Sequence, residues 1–294
     1  MSQIVTPAEQ RTTSAVAPVI SVDELTAEYR TRRGVVRALD RVSLTVAPGE
    51  KVAIVGESGS GKSTLSQAFG RLLPRACHVV SGSVEVLGQD LHLLDATGIR
   101  ALRRDSLGFI PQDPIAALNP TTRIGRQLAL ALAPLGKPTD SASLAALLES
   151  VKIADPERAL GLFPHEASGG MAQRVSIAMA MAREPQILIA DEPTGSLDAQ
   201  VREEILHLIV RLTEQSGASL VWVSHDLSAV RRWCERVVVM HRGRIVEDGP
   251  TSRVLTAPEH EYTQSLLAAL PESSSPGVAA LPGVLAAAGG TEPA

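Results

Sequence analysis

Nine residues constrain this chain more than any others: Gly56-Glu57-Ser58-Gly59-Ser60-Gly61-Lys62-Ser63-Thr64. They follow a short apolar run, Val52-Ala53-Ile54-Val55, and precede a helix-competent stretch, Leu65 to Leu72. Strand, glycine-rich turn and helix is the setting that a phosphate-binding loop requires. Glycines let the backbone curl until successive N–H groups face one anion. The start of the next helix adds its positive end. Lys62 is placed to bridge outer phosphates, and the Ser63 hydroxyl to ligate Mg²⁺. The loop thus predicts a nucleoside triphosphate, without saying what its energy drives.

A second strand carries carboxylates. Ile187-Leu188-Ile189-Ala190 ends in Asp191, and Glu192 follows at once. An Asp at such a strand end holds Mg²⁺ in phosphate-loop enzymes. The neighbouring Glu192 can polarise a water in line with the γ-phosphate. His225 follows a further apolar run, Leu220-Val221-Trp222-Val223-Ser224, and is expected at the same carboxyl edge of the sheet as a γ-phosphate sensor.

Apolar, β-rich runs recur at 43–46, 52–55, 83–87, 107–110, 187–190, 220–223 and 237–240, and Gly243 opens a last hairpin arm through Glu247. Helical patterns separate several of them. Buried runs alternating with helices predict a mostly parallel sheet covered on both faces, an α/β fold. Residues from about 98 to 182 read as mostly helical and are expected to form an inserted helical subdomain. Residues 1–18 and 272–294 read as tails by composition, leaving one unit at 19–271.

Bulk composition narrows the classes. Of 294 residues, 44% are hydrophobic and 2% aromatic, so aliphatic side chains must fill a real core. A net charge of −4 argues against nucleic acid as a partner. No run of eighteen apolar residues predicts a membrane span, and the N-terminus lacks the apolar stretch of a secretory signal. The two cysteines, Cys77 and Cys234, are expected to be buried small hydrophobes in a reducing compartment.

Ala167-Ser168-Gly169-Gly170-Met171-Ala172-Gln173-Arg174 closely resembles the signature motif of ATP-binding-cassette (ABC) ATPases, with Ala167 where Leu is usual and Met171 where Gln is common. The resemblance spans about residues 20 to 270. It implies a P-loop NTPase nucleotide-binding domain: a mostly parallel core sheet, an antiparallel β subdomain and an inserted helical subdomain. It further implies that Tyr29 stacks on adenine, that Gln112 reaches Mg²⁺ or the attacking water, and that Ser196-Leu197-Asp198 crosses a dimer interface. ATP would bind Tyr29, Gly56 through Thr64, and the Ser168, Gly169, Gly170 and Asp198 region of a second subunit. Ser63, Gln112 and Asp191 would organise Mg²⁺, while Glu192, His225 and Gln112 serve catalysis.

Three segments resemble the ATPases of oligopeptide, dipeptide and nickel importers. They are Ile110-Pro111-Gln112-Asp113-Pro114 running through Pro120, Ser168-Gly169-Gly170-Met171 with Gln173-Arg174, and His260-Glu261-Tyr262-Thr263 through Leu267 with Leu270-Pro271. That group implies two transmembrane permease subunits, a second ATPase subunit (identical or different) and an extracytoplasmic solute-binding protein. The chain would then sit at the cytoplasmic face of the membrane. Peptide, nickel and metal–chelator cargo stay open. No iron–sulfur cluster is expected, because the C-terminal stretch lacks cysteine. Rival readings are an exporter or lipoprotein-release ATPase, a soluble ABC protein of translation or DNA repair, and a small-molecule kinase. The last leaves the Ser168 motif without a purpose.

Overall fold

The computed structural model describes residues 17–32, 34–195 and 197–269. Most of both expected tails, together with Ser196, Leu270 and Pro271, lies outside the described residues. The chain opens with β1 (Ile20–Thr31), β2 (Gly34–Val46) and β3 (Lys51–Val55), then α1 (Lys62–Ala68), β4 (Cys77–Val86) and β5 (Gln89–Asp90). Next come α2 (Ala96–Asp105), β6 (Leu107–Ile110) and five helices: α3 (Pro114–Ala117), α4 (Ile124–Leu132), α5 (Ser141–Ser150), α6 (Pro156–Gly161) and α7 (Gly169–Met181). The remainder is β7 (Ile187–Asp191), α8 (Ala199–Ser216), β8 (Ser219–Ser224), α9 (Leu227–Trp233), β9 (Arg236–His241), β10 (Arg244–Pro250), α10 (Thr251–Val254) and α11 (Glu261–Ala268).

Two sheets result. One has the order β2-β1-β4-β5 and is antiparallel throughout. The other has the order β10-β9-β3-β8-β7-β6 and is parallel except at the β10 edge. β6 falls inside the interval expected to be a helical insertion, yet it pairs with β7 and belongs to the parallel sheet.

The parallel strands are apolar on both faces, and their alternation sorts them into two cores. Val52, Ile54, Ile189, Val221 and Val238 face the antiparallel sheet and α1, where they meet Leu25, Leu65 and Phe69. Ala53, Val55, Leu188, Trp222 and Val239 face the helices, where they join a core with Ile124, Leu148, Ile177 and Ile209. A strand that must fill two cores cannot alternate with polar residues, which is why these runs read as continuous aliphatics. Cys77 and Cys234 are free and buried. Burial pushes the Cys234 thiol up to about 12. Among the described residues no helix is long and apolar enough to cross a membrane.

β1 departs from simple alternation. Its buried apolar residues are Ile20 and Val22, then Leu25 and Ala27, so the phase slips by one near Glu24. The register against β2 shifts there, and Glu24 takes φ +45°, a bulge that re-aims everything after it. Its end carries Tyr29 opposite Val36 of β2 and Cys77 of β4.

Candidate functional site

The Gly56–Gly61 loop joins β3 to α1 at the carboxyl edge of the parallel sheet. Two of its glycines are sterically required. Gly61 caps α1 at φ +107°, and a Cβ there would lie 2.5 Å from the Ala38 carbonyl oxygen. A Cβ on Gly56, at φ +148°, would lie 2.2 Å from the Met240 carbonyl oxygen. The loop is thus pressed between β2 and the end of β9, and it lines a cleft of about 580 Å³.

Lys62 is 4% exposed, and its ammonium donates to the carbonyl oxygens of Gly56 and Glu57, each at 2.8 Å. Burial lowers its pKa, against the pull of Glu192, Asp191 and Glu57. The Ser60 hydroxyl is buried and has no hydrogen-bond partner among the described residues. Ser63 Oγ donates to Asp191 Oδ1 at 3.1 Å, and Ser66 Oγ to Asp191 Oδ2 at 3.4 Å. Burial pushes the Asp191 carboxyl up; the Ser63 hydroxyl opposes this and Glu192 reinforces it.

Glu192 breaks from β7 with φ +43°, a region that non-glycine residues rarely occupy. Its N–H donates to the Val223 carbonyl at 3.0 Å, and its own carbonyl accepts from Gly195 N–H at 3.1 Å. The turn leaves the carboxylate facing the cleft. There Gln112 Nε2 donates to Glu192 Oε2 at 3.2 Å, and His225 Nδ1 lies 3.4 Å from the same oxygen. Three chain segments, after β6, β7 and β8, therefore converge on one oxygen atom. His225 keeps 64% of its side chain exposed, against 18% for Glu192.

Tyr29, Gly56, Glu57, Ser58, Gly59, Gly61, Lys62, Ser63, Thr64, Gln112, Glu192 and His225 all line the cleft. The Tyr29 and Thr64 hydroxyls share a hydrogen bond of 3.3 Å. Asp191 sits just beneath it, bonded to the lining Ser63, and Ser60 is the buried residue of the loop between the lining Gly59 and Gly61. Ser168, Gly169, Gly170 and Asp198 do not line it. Ser168 instead caps α7, its Oγ accepting from Met171 N–H at 3.2 Å. Asp198 likewise caps α8 through Val201 N–H at 3.0 Å. These two helix starts meet each other: a Cβ on Gly170 would lie 2.9 Å from Val201 Cγ1. One chain thus holds two separate anion-competent surfaces. Such a pairing, with the loop on one surface and a serine-capped glycine helix on the other, is that of an ATP-binding cassette, and the family model for ABC transporters matches residues 39–195.

The chain belongs to the ABC transporter family. The cassette is 43% identical over 264 residues to the peptidoglycan transport ATP-binding protein YejF of Agrobacterium fabrum, covering 88% of this chain and 48% of that protein. It therefore spans about half of that relative's length. It is 41% identical over 258 residues to a Sinorhizobium fredii protein named "Probable peptide ABC transporter ATP-binding protein y4tR", covering 86% of this chain and 77% of that one. Among solved structures it resembles the dimeric post-hydrolysis state of the ATP-binding cassette MJ0796 bound to ADP and Pi. That match has a TM-score of 0.70 and 30% identity, and covers 79% of this chain and 98% of that one.

Some residues at the cleft escaped the sequence reading. Val36, Arg37 and Ala38 line it from β2, and Leu266 from α11. The signal for Leu266 was present in the His260–Leu267 segment, but nothing local ties that segment to the loop. Ser66 was likewise missed as a second hydroxyl on Asp191.

Proposed function

We propose that this cassette hydrolyses ATP to drive transport through two membrane permease subunits, and that its cargo is of the peptide class. The single observation that carries the hydrolytic part is the convergence of Gln112 and His225 on one carboxylate oxygen of Glu192. A carboxylate so oriented at the mouth of a phosphate loop can hold a water in line with a γ-phosphate and accept its proton.

The residues fit ATP and Mg²⁺. The buried, unpartnered Ser60 hydroxyl and the Lys62 ammonium, satisfied only by the loop's own carbonyls, are groups that incoming phosphate oxygens would complete. Tyr29, which lines the cleft, would offer its ring to the base. Mg²⁺, held by Ser63, Asp191 and Gln112, would supply neutralisation of phosphate charge. Glu192 positions the water, and His225 and Gln112 fix the carboxylate. Ser168 and Gly170, remote from the cleft of their own chain, would close on the γ-phosphate of a second ATPase subunit, with Asp198 at the join.

The peptide class is supported by the name of the Sinorhizobium fredii relative and by the Ile110–Pro120 and His260–Leu267 segments; the Agrobacterium fabrum relative is named for peptidoglycan transport. A solute-binding protein would deliver cargo outside, and the cassette would work at the cytoplasmic face.

Glu192→Gln is expected to lower ATP turnover at least ~100-fold while nucleotide binding survives, since a positioned proton acceptor contributes roughly that factor. Turnover by phosphate release beside binding by equilibrium titration checks this. Near-normal turnover would remove Glu192 from its role.

A further inference from the structure

Apart from the Lys62 ammonium on the Glu57 carbonyl, the exposed start of the phosphate loop, Glu57 to Gly59, has one hydrogen bond to anything beyond the loop among the described residues: Glu57 N–H donates to the Tyr262 hydroxyl at 2.9 Å. The two residues are 205 apart in sequence. Tyr262 belongs to the first turn of α11, and that helix is anchored on its own account. The buried Glu247 carboxylate accepts from Glu259 N–H at 3.0 Å and His260 N–H at 3.2 Å. His260 Nδ1 then caps the helix by accepting from Tyr262 N–H at 3.0 Å. The Tyr262 ring packs against His241, centroids 3.9 Å apart, at the end of β9. The hydroxyl is therefore delivered to Glu57 from a braced support.

We propose that Tyr262 is a positioning residue for the phosphate loop: its hydroxyl pre-orders the Glu57 amide so that ATP meets a loop already curled. This rests on the reading of the cleft as the ATP site. Ordering a backbone residue costs free energy, and a loop ordered in advance spares the ligand that cost. Glu192, Gln112 and His225 stand on other segments and do not depend on this contact, so the effect falls on binding. Burial raises the pKa of the phenol.

The test is Tyr262→Phe in the full chain, which keeps the ring on His241. ATP affinity and KM are expected to weaken about three- to tenfold, the range of one lost neutral hydrogen bond, with kcat falling by less than twofold. A structural role alone would lower the active fraction, and so Vmax, with KM unchanged; that result overturns the proposal. Gln264→Ala, on the exposed side of α11, is the control and should leave KM and kcat unchanged. Amide exchange of residues 56–60 without nucleotide gives a second readout: protected in the wild type, at least severalfold faster in Tyr262→Phe. Equal exchange in the two, or a wild-type loop already unprotected, also overturns it. If the wild type bound no ATP, the reading of the cleft would fail instead, and the exchange measurement would still decide whether Tyr262 orders the loop.

Discussion

Asp191 shows most plainly that this cleft is arranged for a ligand and not for stability. It is 4% exposed and, among the described residues, its hydrogen-bond donors are two hydroxyls, with the Lys62 ammonium offsetting only part of its charge. Burial, the main cause, raises its pKa above the ordinary carboxylate value, and Glu192 adds to the rise. A carboxyl raised on folding contributes fully below its unfolded pKa of about 3.9, and that contribution is lost as pH rises through the folded value. At neutral pH the nucleotide-free chain therefore carries an unfavourable charge. Asp191→Asn should raise the melting temperature of the nucleotide-free protein at pH 7 by about 1–3 °C, with the gain vanishing toward pH 4. The same change should cut turnover at least ~10-fold and shrink the stabilisation by ATP and Mg²⁺. Thermal melts across pH, with and without nucleotide, decide this. An unchanged or lower melting temperature at pH 7 would mean that the charge is already compensated.

Elements explain what could and could not be read from sequence. β7 and β8 were legible because every residue in them is buried, so aliphatics run without interruption. β1 was not, because its bulge at Glu24 shifts the buried apolar residues from even to odd positions and breaks the period of two. The candidate site was legible where its residues lie on contiguous loops at strand ends, as at Gly56–Thr64 and Asp191–Glu192. Leu266 and Tyr262 were not, since α11 reaches the loop only through tertiary packing. The start of α7 shows the same limit. Gly170 reads as part of a phosphate nest, yet it also lets α7 approach α8, its missing Cβ leaving room for Val201 Cγ1. Gly170→Ala should cost about 1–2 kcal/mol through overpacking, a fall of a few °C in melting temperature. Adding Val201→Ala removes the clashing methyl, so the double variant should melt above the single one. A double variant no better than Gly170→Ala would mean that the clash is relieved elsewhere at no cost.

At the scale of the whole molecule, the parallel sheet separates two cores and sets the two nucleotide motifs apart. The phosphate loop leaves β3 on the side of α1 and the antiparallel sheet, while α7 packs into the helical core. Ser168 is exposed at the start of α7 and contributes nothing to the cleft of its own chain. If this helix start binds phosphate as proposed, it can do so only at another molecule's site. Binding and hydrolysis should therefore separate. The single chain should still bind ATP through its own cleft, with affinity rising as subunits associate, whereas turnover per chain should fall on dilution as subunits part. Ser168→Arg should lower turnover at least ~10-fold, because a cation and a bulky side chain replace the cap at the closing surface, with single-chain ATP affinity within about twofold of the wild type. Phosphate release and light scattering over one dilution series check both. Constant turnover per chain down to a strictly monomeric solution would place the whole hydrolytic site within one chain and leave the α7 terminus a structural cap.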